Sequence, residues 1–221
     1  MSYFDFGYYK KKVLRKSKKI TIDKKIIAWK KGKSLYDGKR SEGYGGFYYD
    51  GRWLKILPKI IKKYGLTNKS QVLEIGSKKG FLLYDLKKIL PKIKCYGVED
   101  HIYPIKKSPS SVKKFIKLAK YNKLPFKTNS INFVISNAAI YSYNFGDLIE
   151  IFKEINRVLK KNSKALVSVA AYENHKELEK FKNWSTLSTV VLSKKEWLRF
   201  FKLVGYKGDY FFIDQKVLGI K

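Results

Sequence analysis

"QVLEIGSKKGFLL", residues 71–83, decides the fold. Val72, Leu73, Glu74 and Ile75 make a mostly apolar run of strand length. Gly76, Ser77, Lys78, Lys79 and Gly80 then form a glycine-bounded turn, after which apolar residues recur at helical spacing. A strand, a short glycine turn and a helix together aim backbone N–H groups at a nucleotide-like ligand. Turns of this kind usually have glycine where Lys78 stands. Lysine is tolerated there if its φ is negative, because only a left-handed position strongly demands glycine. Lys78 and Lys79 are then expected to point to solvent.

Outward from this turn, strands and helices alternate. A helix over 52–64 has Trp53, Leu54, Leu57, Ile60, Ile61 and Tyr64 on one side, and Gly65 ends it. Further strands are predicted over 94–98, 115–119, 133–136 and 165–171. Helices fall over 80–90, 146–160 and 174–183, with one more that opens on the Ser193/Glu196 capping box and stops at Gly205. Alternation at short spacing predicts a parallel sheet covered by helices on both faces, a three-layer α/β sandwich. "DYFFI" and "KVLGI" close the chain with only "DQ" between them. Read as strands, they must pair antiparallel, because a parallel pair needs a long crossover.

In an open α/β sheet the ligand lies beyond the carboxyl ends of the strands. This brings together the turn after the first strand, "ED" after the second and the loop after the fourth. Glu99 ends the second strand 23 residues after Gly76. An acid there can accept from two ribose hydroxyls and disfavours a phosphorylated 2′ position.

These features resemble the class I S-adenosylmethionine-dependent methyltransferases. "VLEIGSKKG" is similar to that family's first motif and "YGVED" to its second. "LPFKTNSINFVISNAAIYSY" and "IFKEINRVLKKNSKALVSV" resemble the segments that follow, in the same order. The resemblance implies a mostly parallel seven-stranded sheet ending in an antiparallel hairpin, with S-adenosylmethionine as cofactor. It implies that Gly76, Ser77 and Gly80 pass the methionine part and that Glu74 supports the loop or the amino group. Glu99 would take the ribose, and Asp100 or His101 would lie beside the adenine. Tyr121 stands where an acid often meets the adenine amino group. Asn137 and Tyr141 follow the fourth strand, where cofactor and acceptor groups meet.

Residues 1–42 read as a basic arm rich in Lys and Tyr, with a short helix near 24–29, and residues 43–221 as the methyltransferase domain. "EGYGGFYYDGRW", residues 42–53, joins them. Its glycines permit movement and its aromatics offer stacking faces, so it is expected to act as a lid. Tyr44 and Arg52 are its candidate substrate contacts, together with Tyr141. A general base is needed only for a hydroxyl acceptor, and His101 and Tyr141 are the candidates.

Composition narrows the rest. The net charge is +31, but lysine outnumbers arginine 44 to 5. Ile, Asn, Tyr and Phe are also abundant, and these residues share AT-rich codons. The charge therefore reads as codon preference with nonspecific attraction to polyanions, since proteins that grip phosphate use arginine too. No run of apolar residues is long enough to span a membrane. Cys95 is the single cysteine, which fits a reducing cytoplasm, and no Cys/His spacing points to a metal. The expected function is methyl transfer to a small acceptor, with a sugar or cell-surface glycan precursor as the candidate class. A nucleic-acid methyltransferase and a non-catalytic protein retaining the fold are the alternatives.

Overall fold

A computed structural model describes residues 1–7, 15–16 and 19–221. Part of the lysine-rich stretch of the expected arm, residues 8–14 and 17–18, lies outside the described residues. Two short helices come first, α1 (Ile22–Trp29) and α2 (Lys33–Asp37), then α3 (Arg52–Tyr64). The sheet begins with β1 (Gln71–Ile75), α4 (Phe81–Ile89) and β2 (Lys94–Glu99). Next come α5 (Ile102–Lys106), α6 (Ser110–Lys113), β3 (Ile116–Leu118) and β4 (Ile131–Asn137). A 3₁₀ turn (Ile140–Ser142) leads to α7 (Phe145–Val158) and β5 (Leu159–Tyr172). The remainder is α8 (His175–Trp184), β6 (Leu192–Ser193), α9 (Lys194–Leu203), β7 (Asp209–Ile213) and α10 (Gln215–Leu218).

The seven strands form one sheet in the order β3-β2-β1-β4-β5-β6, with β7 also paired to β5. Every strand pairing is parallel. β5 is long enough to carry β7 along 166–170 and β6 along 171–172. Side chains alternate across the pleat, so Val72 enters one core cluster while Leu73 and Ile75 enter the other. α3 and α4 pack on the first face with Ile56, Leu57, Ile60 and Leu82. α7 and α9 pack on the second with Ile151, Phe152, Trp197 and Phe201. Each fully buried side chain of this size contributes about 1.5–3 kcal/mol relative to exposure.

The expected closing hairpin is absent. "DYFFI" is β7, but α9 separates it from β6 and it runs parallel to β5. "KVLGI" falls largely on α10 instead of a strand. Asp214 caps that helix by accepting from the Val217 N–H at 2.8 Å, and Gly219 ends it at φ 63°. A caps-and-glycine signal around four residues outweighs strand propensity there.

The N-terminus joins the sheet's edge. Tyr3 bridges Tyr210, and Phe4 and Phe6 enter the first core cluster. Asp209 anchors this contact, accepting from Ser2 N–H, Ser2 Oγ and Tyr64 Oη at 2.8–2.9 Å.

Candidate functional site

β1, β2 and β4 end side by side, and a cavity of about 360 Å³ opens beyond them, which is small-molecule size. The turn after β1 forms its floor. Gly76 sits at φ 75°, and a Cβ added there would come within 2.2 Å of the Ala139 Cβ. Only glycine lets the turn pass so close to the chain after β4. Gly76 N–H and Ser77 N–H both donate to Val98 O, at 2.9 and 3.1 Å, which ties the turn to β2.

Lys78 departs from the expectation in two ways. Its φ is 52°, so a lysine occupies the left-handed region that the family gives to glycine. Its side chain turns inward, and Nζ donates to Asn137 O at 2.8 Å. Lys79 also turns inward, with Nζ 2.6 Å from Asp37 Oδ1 on α2. The reason is charge. Glu74 and Glu99 are buried near Lys78, and the half-buried Asp37 lies against Lys79, so each ammonium offsets carboxylate charge that is partly or wholly withdrawn from water.

Among the described residues, five acids line the cavity, Asp50, Glu74, Asp85, Glu99 and Asp100. Glu99 is buried; its Oε2 accepts from Lys78 N–H at 2.7 Å and Tyr121 Oη at 3.3 Å. Its Oε1 accepts from Tyr36 Oη of α2 at 3.2 Å. Asp100 Oδ2 accepts from Lys31 Nζ and Tyr143 Oη, while its Oδ1 is buried without a partner. Glu74 Oε2 is likewise buried and unpartnered. Burial, then the Glu99 charge, raises the Glu74 pKa against the opposing pull of Lys78. Burial and Asp100 raise that of Glu99.

The raised pKa of Glu74 makes a stability prediction. Above the ordinary value of 4.5 the folded protein holds a proton that the unfolded chain has released. Stability from this group therefore falls as the pH rises from 4.5 toward neutrality. Glu74→Gln should flatten that decline in urea unfolding measured at pH 5 and pH 7. An unaltered slope would mean that Glu74 is not the group responsible.

Most of the residues expected from sequence meet in this cavity. Glu74, Gly76, Ser77, Glu99, Asp100, Tyr121 and Asn137 line it, and so do Tyr44, Arg52 and Tyr141. Gly80 and His101 are not on its wall. Gly80 starts α4 and faces Ile116 and Val112. His101 caps α5, its Nδ1 accepting from Tyr103 N–H at 3.1 Å. The sequence reading missed Lys31, Tyr36 and Tyr143, which reach the acids after β2 across long sequence separations. It also missed Arg15 and Arg40 on the same wall, which Trp184 lines too.

A family model described as a methyltransferase domain matches residues 66–205, more than half of the chain. The chain belongs to the methyltransferase domain family. By that membership it carries a class I S-adenosylmethionine-dependent methyltransferase domain, whose cofactor is S-adenosylmethionine. Solved structures share the fold at low identity. YcgJ from Bacillus subtilis is 20% identical with a TM-score of 0.55, over 67% of this chain and 66% of that one. A complex of the Haloferax volcanii Trm112 methyltransferase activator with its provisionally assigned methyltransferase gives 18% and 0.56, over 67% and 66%. A Bacillus halodurans structure, provisionally described as a methyltransferase, gives 18% and 0.54, over 67% and 68%. The chain spans about half to two thirds of the length of the first solved structures it matches. No curated protein sequence matches it.

The methyltransferase's own residues fit such a cofactor. Three buried, unpartnered carboxylate oxygens on the cavity wall, Glu74 Oε2, Asp85 Oδ2 and Asp100 Oδ1, suit a ligand rich in N–H and O–H donors and carrying positive charge. Among the described residues, no group of His, Cys, Asp and Glu is arranged to hold a metal. Among the described residues, no helix is long and apolar enough to cross a membrane.

Proposed function

We propose that this methyltransferase moves the methyl group of S-adenosylmethionine to a small-molecule acceptor in the cavity, with sugars and cell-surface glycan precursors the first classes to try. The observation that carries the reading is the set of three unpartnered buried carboxylate oxygens on the cavity wall, Glu74 Oε2, Asp85 Oδ2 and Asp100 Oδ1. The cofactor supplies an electrophilic methyl group on a sulfonium sulfur. Glu99 accepts from the ribose hydroxyls, Gly76 and Ser77 flank the methionine part, and Glu74 balances its ammonium. Asp100, Tyr121 and Asn137 complete the cofactor wall. Tyr44, Arg52 and Tyr141 face the acceptor.

The protein's work is then positioning and exclusion of water, because the donor is already activated. Where the acceptor is a hydroxyl, Tyr141 is the cavity group able to hold its proton. His101, off the cavity wall, has no part in this scheme. Residues 1–42 form a basic arm, residues 43–221 the methyltransferase domain, and the glycine- and aromatic-rich segment 42–53 between them is the lid over the cavity. The single cysteine supports a reducing, cytoplasmic setting.

Calorimetry with S-adenosylhomocysteine, the demethylated cofactor, tests the reading. A dissociation constant below about 1 mM, near −4 kcal/mol, is expected. No heat at that concentration would overturn it. The net charge of +31 favours a second reading, in which RNA is the acceptor. RNA affinity that is sequence-independent and collapses between about 50 and 200 mM salt would set that reading aside.

A further inference from the structure

The arginines of this cavity are out of keeping with the chain. Lysine outnumbers arginine 44 to 5 in the sequence. Yet, among the described residues, the cavity wall carries Arg15, Arg40 and Arg52 against only two lysines, Lys31 and Lys78. A codon preference that fills the surface with lysine does not gather arginine in one place. The two cations differ in what they can hold. A guanidinium is a flat fork that grips a carboxylate or phosphate through two bonds and stacks on rings, whereas an ammonium is a point charge.

Two of these five cations pair with carboxylates, and a third, Lys78, reaches a backbone carbonyl with the Glu74 and Glu99 charges near it. Arg52 grips the Asp50 carboxylate at 2.6–2.7 Å. Lys31 is bound to Asp100, and Lys78 to Asn137 O. Arg40 and Arg15 are held differently. Arg40 Nη1 donates to Gly43 O at 2.5 Å, and its guanidinium lies 4.8 Å from the Trp184 ring centre. Arg15 Nη1 donates to Leu218 O. Among the described residues, no carboxylate pairs with Arg40. Arg15 lines the same wall, and desolvation and then the Arg15 charge lower the Arg40 pKa. Like charges on one wall favour an anion bound between them. Backbone carbonyls and an aromatic plate have fixed the Arg40 fork in place before any such anion arrives.

The surroundings say what carries the anion. Trp184, Tyr44 and Tyr141 line the same cavity, and all three are half-buried. Ring faces of this kind stack on flat or sugar rings. We propose that Arg15 and Arg40 hold the anionic group of the methyl acceptor, a carboxylate or phosphate ester carried on a ring that lies against Trp184 and Tyr44. The proposal rests on the methyltransferase reading of the same cavity, and it assigns the acceptor's chemical class.

Titration calorimetry at about 200 mM salt, where nonspecific attraction is screened, tests it. The probes are phenyl phosphate, benzoate and glucose 6-phosphate, with phenol and glucose as neutral counterparts and inorganic phosphate for charge alone. Each is titrated with and without saturating S-adenosylhomocysteine. At least one ring-bearing anion should bind tenfold or more tightly than its neutral counterpart and than inorganic phosphate. Preference between phenyl phosphate and benzoate identifies the anion. Arg40→Gln should weaken that anion at least tenfold, and Arg40→Lys should restore only part of the loss. S-adenosylhomocysteine affinity should stay within twofold in both variants. If the melting temperature of Arg40→Gln falls by more than a few degrees, Arg15→Gln takes its place. Equal binding of charged and neutral probes, or an anion affinity untouched by the substitution, overturns the proposal. Cofactor binding without anion binding overturns this inference alone. Arginine-dependent anion binding without cofactor binding supports the anion site and overturns the methyltransferase reading instead.

Discussion

Glu99→Gln is expected to weaken S-adenosylhomocysteine binding by about ten- to a hundredfold while leaving the free protein as stable as before, or more so. The two halves of this expectation come from one observation. Glu99 is buried beside Asp100, and both the burial and that neighbouring charge raise its pKa. Its charge is thus disfavoured in the free protein, and removing it relieves that cost. Yet three groups are arranged to hold the carboxylate: Lys78 N–H at 2.7 Å, Tyr36 Oη at 3.2 Å and Tyr121 Oη at 3.3 Å. They fix its position at the end of β2, where ribose hydroxyls would meet it. Hydrogen bonds to a charged group are worth about 1.5–3 kcal/mol each. At about 1.4 kcal/mol per factor of ten, losing that charge gives the stated range. Calorimetry gives the affinity and urea unfolding the stability. Unchanged affinity would show that the ribose is held elsewhere. Affinity and stability falling together would make Glu99 a packing residue.

The elements that the sequence announced are those whose signals are local. The Gly76–Gly80 turn lies between β1 and α4, and the Ser193/Glu196 capping box opens α9. The apolar face of 52–64 became α3, ending at Gly65 with φ 60°. Signals of the other kind were missed. Nothing local marks Lys78 as left-handed, because its conformation follows from the turn's closure against β2 and Asn137. α2 is five residues long, too short for a helical period to show, yet it delivers Tyr36 to an acid 63 residues away. The closing hairpin failed because strand propensity in "KVLGI" competed with a cap at Asp214 and a glycine stop, and the caps won. The candidate cofactor residues were legible because they sit at strand ends, where topology alone brings them together. Arg15, Arg40 and Trp184 come from the arm and from the end of α8, and only the folded chain unites them.

Gly43→Ala is expected to loosen the cover of the cavity without unfolding the domain. A Cβ at Gly43 would lie 2.2 Å from Leu35 O and 2.6 Å from Leu35 Cα, both backbone atoms of α2 that cannot swing aside. Overpacking of this kind typically costs about 1–3 kcal/mol. The cost falls on a separate unit. Ala28, Leu35 and Tyr36 form their own small cluster with Tyr44 and Phe47, apart from the two clusters that flank the sheet. Tyr44 N–H donates to Leu35 O at 2.8 Å, and Phe47 stacks on Phe81 at 5.4 Å. Asp37 fastens the unit through Lys79 Nζ at 2.6 Å and Tyr103 Oη at 2.8 Å. Displacing residue 43 therefore strains the Tyr44 contact and shifts Tyr36 away from Glu99, while the sheet keeps its core. The melting temperature should stay within a few degrees. Cofactor affinity should fall about tenfold or more, because binding is reduced by the fraction of molecules whose cover is in place. Hydrogen exchange supplies the deciding measurement. In the native sequence the amides of 43–51 should gain protection when S-adenosylhomocysteine is added, and Gly43→Ala should remove most of that gain. Amides already fully protected without ligand would make the segment part of the packed core and would sink the lid reading.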